Sequence, residues 1–241
     1  MKSDVFRFKR FEVRQRCSAM KVGMDGVSLG AWAFEGLDSD SEFTVWDVGA
    51  GTGLLSLMIA QRFPCCEIYA VEIDAEAAKE AQGNFTASQF SQRLHCVNGN
   101  VFELAETLPV PDAIVCNPPY FRDSLASPDQ VRSTARHQDS LGPDSALALA
   151  GRYLSAGGML AMILPYEEGD RLDFLAAVNS LSLERRVDLV SVEGKAPKRT
   201  LWEFVKGRPG KNLCGALTVK NSGGTYTAEY YNLTNNFYLD K

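Results

Sequence analysis

The chain has 241 residues, 45% of them hydrophobic and 23% charged, enough for one substantial α/β domain with a buried core. It holds no apolar run long enough for a transmembrane helix, and its N-terminus, MKSDVFRFKRFEVRQR, lacks the apolar core of a signal peptide, so a cytoplasmic protein is expected. The net charge of −5 is uneven: residues 1–21 carry seven basic side chains against Asp4 and Glu12, and residues 193–211 carry six against Glu193 and Glu203, on an otherwise acidic body. Two basic segments fit a polyanionic partner met by local patches, and they equally fit solvated surface charge.

The six cysteines (Cys17, Cys65, Cys66, Cys96, Cys116, Cys214) form no CxxC pair and no zinc spacing with His95 or His137, the two histidines of the chain. Free, mostly buried thiols and no metal site are expected.

From residue 43 apolar runs alternate with helical stretches. Strands are predicted over 43–48, 67–72, 94–97 and 113–116, with helices over 54–62 and 75–87 between them. After a long polar loop the pattern predicts a helix over 143–153, a strand over 159–164, a helix over 167–180 and a strand over 186–192. Two late strands, 201–205 and 213–220, are separated by the turn Gly207-Arg208-Pro209-Gly210. Alternating β and α elements imply a parallel sheet with helices on both faces, and two successive late strands imply an antiparallel hairpin at one edge. No repeat or linker appears, so a single domain is expected.

The first strand runs into Asp47-Val48-Gly49-Ala50-Gly51-Thr52-Gly53-Leu54. Glycines there let the backbone approach a ligand, and the following helix N-terminus offers N–H groups to an anion; a tight turn without a ligand is the other reading. A dinucleotide fingerprint would need glycine at position 54, which is Leu54. Glu72, at the end of the second strand, is placed to accept from two ribose hydroxyls, and Asp74 to cap the next helix. The order Asp47, Gly49, Gly51, Gly53 resembles the first motif of class I methyltransferases that use S-adenosylmethionine. That resemblance implies a Rossmann-like fold with a seven-stranded, mostly parallel sheet, and cofactor contacts from Asp47, Gly49, Gly51, Gly53, Glu72, Ile73, Asn100 and Val101. The family places an aspartate after the third strand to accept from the adenine amino group. Here the residue is Asn100, whose amide oxygen still accepts one hydrogen bond.

The fourth strand ends in Cys116-Asn117-Pro118-Pro119-Tyr120-Phe121. Two prolines stop the strand, and as a bare tetrapeptide the motif is a turn. In such a sheet this strand lies beside the first, so Asn117 faces the glycine turn. Asn-Pro-Pro-Tyr resembles the fourth motif of amino methyltransferases, which act on adenine N6, a glutamine amide or guanine N2. The resemblance implies Asn117, Pro118 and Tyr120 as catalytic, with Asn117 also beside the cofactor. The carbonyls of Asn117 and Pro118 accept the two N–H bonds of the amine and aim its lone pair at the methyl group, while Tyr120 and Phe121 offer a wall for a flipped base.

The stretch Phe8-Lys9-Arg10-Phe11-Glu12-Val13 and then Met20-Lys21-Val22-Gly23-Met24-Asp25-Gly26-Val27-Ser28-Leu29-Gly30-Ala31-Trp32 is similar to the N-terminus of bacterial tRNA1(Val) adenine-37 N6-methyltransferases, and Ala135-Arg136-His137 after the Asn117 turn and Ala196-Pro197-Lys198-Arg199 before the late strands are further resemblances to that family. This implies a tRNA anticodon arm as partner. It also implies Lys21, Asp25 and Gly26 beside the cofactor, residues 1–42 packed near its site, and Arg136, His137, Lys198 and Arg199 toward the RNA. A monomer is expected. Competing readings are a release-factor glutamine methyltransferase, which carries a helical domain ahead of the catalytic one; a guanine-N2 rRNA methyltransferase, often duplicated; and a silent RNA-binding module, against which the intact motifs speak.

Overall fold

In the computed structural model, which describes residues 4–18, 20–119 and 141–239, the charged–apolar alternation at the N-terminus folds as an antiparallel ladder of β1 (Val5–Arg7) and β2 (Glu12–Arg14), followed by α1 (Met24–Trp32). The alternating body comprises β3 (Phe43–Val48), α2 (Leu54–Arg62), β4 (Cys66–Glu72), α3 (Ala75–Ala87), β5 (Leu94–Asn98), the one-turn α4 (Val101–Leu104), β6 (Ala113–Cys116), α5 (Pro143–Tyr153), β7 (Met159–Pro165) and α6 (Gly169–Val178). β8 (Leu181–Val192), β9 (Arg199–Lys206), β10 (Leu213–Lys220) and α7 (Ala228–Thr234) follow. Among the described residues no helix is long and apolar enough to cross a membrane.

The sheet order is β10-β8-β9-β7-β6-β3-β4-β5. The pairings β3–β4, β3–β6, β4–β5 and β6–β7 are parallel, as alternation with helices requires. The strand pleat sends successive side chains to opposite faces. Val45, Val115, Ala161 and Ile163 pack with α1, α2 and α3, whereas Trp46, Ile114, Leu160 and Met162 pack with α5 and α6.

The late strands differ from the expected seven-stranded sheet with an edge hairpin. The sheet has eight strands, β9 lies between β7 and β8 antiparallel to both, and β10 pairs with β8 in parallel at the edge. Burial gives the reason. Thr200 to Val205 are buried without interruption, as only a central strand allows, while Leu213 to Ala216 are exposed. The hairpin is therefore β8–β9, and residues 207–212 carry the chain across the end of β8. β8 also begins earlier than its apolar run, because a bulge between Leu183 and Arg185 admits two buried charged residues. The cysteines are all free, but Cys17, Cys65 and Cys214 are exposed, which corrects the expectation of mostly buried thiols.

Both of these charges have partners: Glu184 meets Arg208 and Lys211, and Arg185 meets the buried Glu203. Arg185 Nε donates to Glu203 Oε1 at 2.8 Å, its Nη2 donates to the Trp32 carbonyl at 2.6 Å, and its guanidinium lies 3.9 Å from the Trp32 ring centroid. Glu203 Oε2 accepts from the Phe34 N–H at 2.6 Å, so the end of α1 is fastened to β8 and β9. Removing one partner of a buried pair leaves the other charge uncompensated. Glu203→Ala is therefore expected to cost about 3–5 kcal/mol of unfolding free energy, against about 1 kcal/mol or less for the exposed Glu35 on the same arginine. Equilibrium urea unfolding of both variants checks the difference.

Candidate active site

Val48 of β3 lies opposite Cys116 of β6. The glycine turn and the Asn117 turn therefore leave the sheet side by side at the C-terminal ends of their strands. Between them opens a cavity of about 770 Å³, within the size range of small-molecule sites. Its walls are Gly49 to Thr52, Glu72 to Asp74 after β4, Gly99 to Phe102 after β5, and Asn117 with Pro119 after β6; its roof is the N-terminal segment with Ser18, Met20 and Lys21 to Gly26. Of the expected cofactor residues, Lys21, Asp25, Gly26, Gly49, Gly51, Glu72, Ile73, Asn100, Val101 and Asn117 line it.

Asp47, Gly53 and Pro118 do not belong to the lining. Gly53 takes φ +77 and a Cβ there would stand 2.3 Å from Phe85 Cε1, so its glycine is demanded by the packing of α3. Gly51, at φ +55, faces the roof, where a Cβ would meet Ser18 Oγ at 3.2 Å. Several of the N–H groups that could await an anion are already donated within the protein. Those of Gly49 and Ala50 go to the Val71 carbonyl, that of Gly51 to Glu72, that of Gly53 to the Ala50 carbonyl and that of Ser56 to Asp47. The turn brings backbone close to a ligand, and these five amides are not free to cradle a phosphate.

Asp47 is fully buried behind the turn, because the pleat that sends Trp46 to one face sends Asp47 toward α2. Its Oδ2 accepts from the Ser56 N–H at 3.0 Å and Oγ at 2.6 Å, and its Oδ1 has no partner among the described residues. Burial, with the charge of Glu72 adding to it and the Ser56 bonds opposing it, pushes the Asp47 carboxyl up to about 6.

Glu72 is built into the wall. Its Oε2 accepts from the Gly51 N–H at 2.7 Å and its Oε1 from the Asp74 N–H at 2.9 Å. One carboxylate thus joins the glycine turn to the end of β4, and each oxygen keeps acceptor capacity toward the cavity. Asp74 caps α3 as expected, accepting from the Ala77 N–H at 2.8 Å. Asn100 lines the cavity but also caps α4, its Oδ1 accepting from the Phe102 N–H at 3.1 Å.

Asn117 stands at the cavity edge, its Nδ2 3.3 Å from Met20 Sδ. Tyr120, Phe121, Arg136 and His137 lie outside the described residues. Arg199 is joined to the roof through Nε to Asp25 Oδ2 at 2.8 Å, while Lys198 is exposed. Sequence reasoning missed Ser18 and Met20 in the roof and the α3 residues Glu80 and Asn84 that touch it. The alternation of residues 5–14 was the available signal that the N-terminus is structured.

Residues 31–168 match the family model of the methyltransferase small domain. The chain is 40% identical over its whole length to a protein of Phocaeicola vulgatus named tRNA1(Val) (adenine(37)-N6)-methyltransferase, with all of that protein covered. It is 38% identical to one of the same name from Porphyromonas gingivalis, covering 99% of this chain and 96% of the relative. The chain belongs to the tRNA1(Val) (adenine(37)-N6)-methyltransferase family. The fold agrees: a crystal structure from Agrobacterium tumefaciens, titled a predicted O-methyltransferase, superposes with a TM-score of 0.69 at 19% identity, covering 88% of this chain and 96% of that one. P. horikoshii TYW2 in complex with MeSAdo superposes with a TM-score of 0.56 at 15% identity, covering 85% and 72%. The roof over the cavity in this family member, Ser18 and residues 20–26, precedes the segment matched by the domain model.

The Asp47 carboxyl carries a pH signature. Its folded value, about 6, exceeds the 3.8 of an unperturbed group. Its contribution to stability is therefore full below about pH 4 and lost as the pH rises through about 6. Relative to Asp47→Asn, the unaltered protein is expected to gain about 1 kcal/mol between about pH 7 and pH 5, measured by urea unfolding at the two pH values.

Proposed function

We propose that this chain transfers a methyl group from S-adenosylmethionine to the exocyclic N6 of adenosine 37 in a valine tRNA, in the cytoplasm. The observation that carries this reading is the placing of the Asn117-Pro118-Pro119 turn on the same cavity as Glu72 and the glycine turn. Identity of 40% over the full length to a relative named for that reaction supports the choice of base.

The residues present fit the cofactor. S-adenosylmethionine supplies a methyl group on a sulfonium and carries no phosphate, which suits a turn whose Gly49, Ala50, Gly51 and Gly53 N–H groups are already donated. Glu72, fixed by two N–H donors, turns its remaining lone pairs toward the ribose hydroxyls. Asn100 and Val101 meet the adenine, and the half-exposed acid Asp25 together with the exposed Lys21 meet the charged tail. The roof residues exclude water from the transfer point.

The amine nitrogen of adenine is a weak nucleophile because its lone pair is delocalised into the ring. The Asn117 Oδ1 and Pro118 carbonyl oxygens accept its two N–H bonds, making the nitrogen pyramidal and aiming the lone pair at the methyl group. The prolines hold φ near −65°, so these acceptors are ordered before substrate arrives. After transfer the nitrogen is strongly acidic and gives its proton to water, so no strong base is required. Tyr120 and Phe121 stack the flipped base. Lys198, carried just before β9 where the Tyr166 N–H bonds the Lys198 carbonyl at 3.3 Å, meets backbone phosphate.

Asn117→Ala is expected to abolish transfer while binding of S-adenosylhomocysteine persists; normal turnover would sink the mechanism. Incubation with labelled S-adenosylmethionine and total tRNA from a strain lacking the gene is expected to put label into N6-methyladenosine, whereas label in guanosine or in protein would overturn the substrate. Lys198→Ala is expected to weaken tRNA binding and reduce the salt slope by about one. Arg199→Ala, by contrast, acts through Asp25 and raises KM for the cofactor.

A further inference from the structure

The roof of the cavity is held in an unusual way. Val13 before it and Val22 and Met24 after it pack on the core, but Arg14, Arg16, Cys17 and Met20 are exposed, so little apolar burial holds the stretch between them. It is tied instead to α3, outside the cavity. The N–H groups of Arg16, Cys17 and Ser18 all donate to the Glu80 carboxylate, at 2.6, 3.1 and 3.1 Å. One helical turn later Asn84, almost fully buried, accepts from the Arg14 N–H and donates to the Arg14 carbonyl, both at 2.9 Å, and donates to the Thr52 carbonyl of the glycine turn at 2.9 Å. Gln15 closes the loop by accepting from the Val22 N–H at 2.8 Å.

We propose that Glu80 is a positioning residue for methyl transfer: by gathering three successive backbone N–H groups it holds residues 16–18 over the cavity, and with them Ser18 against Gly51 and Met20 against Asn117. Successive N–H groups converging on one point form an anion nest, here filled by a side chain of the same chain. Without that carboxylate the three donors turn to water, and residues 16–18 have no buried apolar side chain of their own to return them to place. The roof touches both the glycine turn and the Asn117 turn, so its ordering governs retention of the cofactor and, through Met20, the setting of the Asn117 amide. This inference rests on the cofactor reading of the cavity.

The test compares the unaltered chain with Glu80→Gln, Glu80→Asp and Lys79→Ala, the last exposed on the same helix. Calorimetric affinity for S-adenosylhomocysteine is expected to fall at least about tenfold in Glu80→Gln, to recover in part in Glu80→Asp, and to stay unchanged in Lys79→Ala. KM for S-adenosylmethionine rises in Glu80→Gln while kcat at saturating cofactor falls less. Amide hydrogen exchange speeds up at residues 16–18 but not in β3 or β6. Affinity equal to that of the unaltered chain in Glu80→Gln overturns the proposal. So does loss of folding in that variant, which would make Glu80 a support of the whole domain. Failure of the unaltered chain to bind S-adenosylhomocysteine overturns the cofactor reading, and this inference with it.

Discussion

Val48 stands opposite Cys116 in the parallel pairing of β3 with β6, and the site depends on that register. Parallel strands end together at one edge of the sheet, so the turns that follow them share a crevice. A slip of β3 by one residue would reverse its faces, exchanging Trp46 with Asp47. The large apolar core on each face forbids it. The chemistry at the strand ends is thus held in place by side chains that never meet a ligand.

Three carboxylates brace this edge, at increasing distance from the core. Asp47, fully buried, holds the start of α2 through Ser56 and leaves one oxygen without a partner among the described residues. Glu72 spans the glycine turn and the end of β4 and also faces the cavity. Glu80 is outside the cavity altogether and gathers the roof. All three bind backbone N–H groups, yet Glu72 and not the others is placed to meet a ligand directly. Orientation, not residue type, separates a structural acid from a binding one.

The basic segments change meaning once their partners are visible. Arg208 and Lys211 both reach Glu184, Arg199 reaches Asp25, and Lys206 caps the Leu154 carbonyl at the end of α5. At the N-terminus Arg7 pairs with Glu12 and Arg16 with Asp4. Much of the positive charge that clusters along the chain is therefore engaged within the fold. Charge counted along a sequence cannot reveal this, because the partners are often far away in the chain, as Arg199 and Asp25 are.

Local pattern alone determined the alternating elements from Phe43 to Tyr153, the helix cap at Asp74, the strand stop at Pro118 and the acid at the end of β4, because each depends on neighbours within a few residues. The order of the late strands did not follow from local pattern, since whether β9 is central or peripheral depends on which strands cover it. Nor did the internal use of the glycine-turn amides, the retreat of Asp47 and Gly53 from the lining, or the roof held by Glu80 and Asn84. These are contacts between segments remote in sequence, and only the tertiary structure brings such segments within hydrogen-bonding distance.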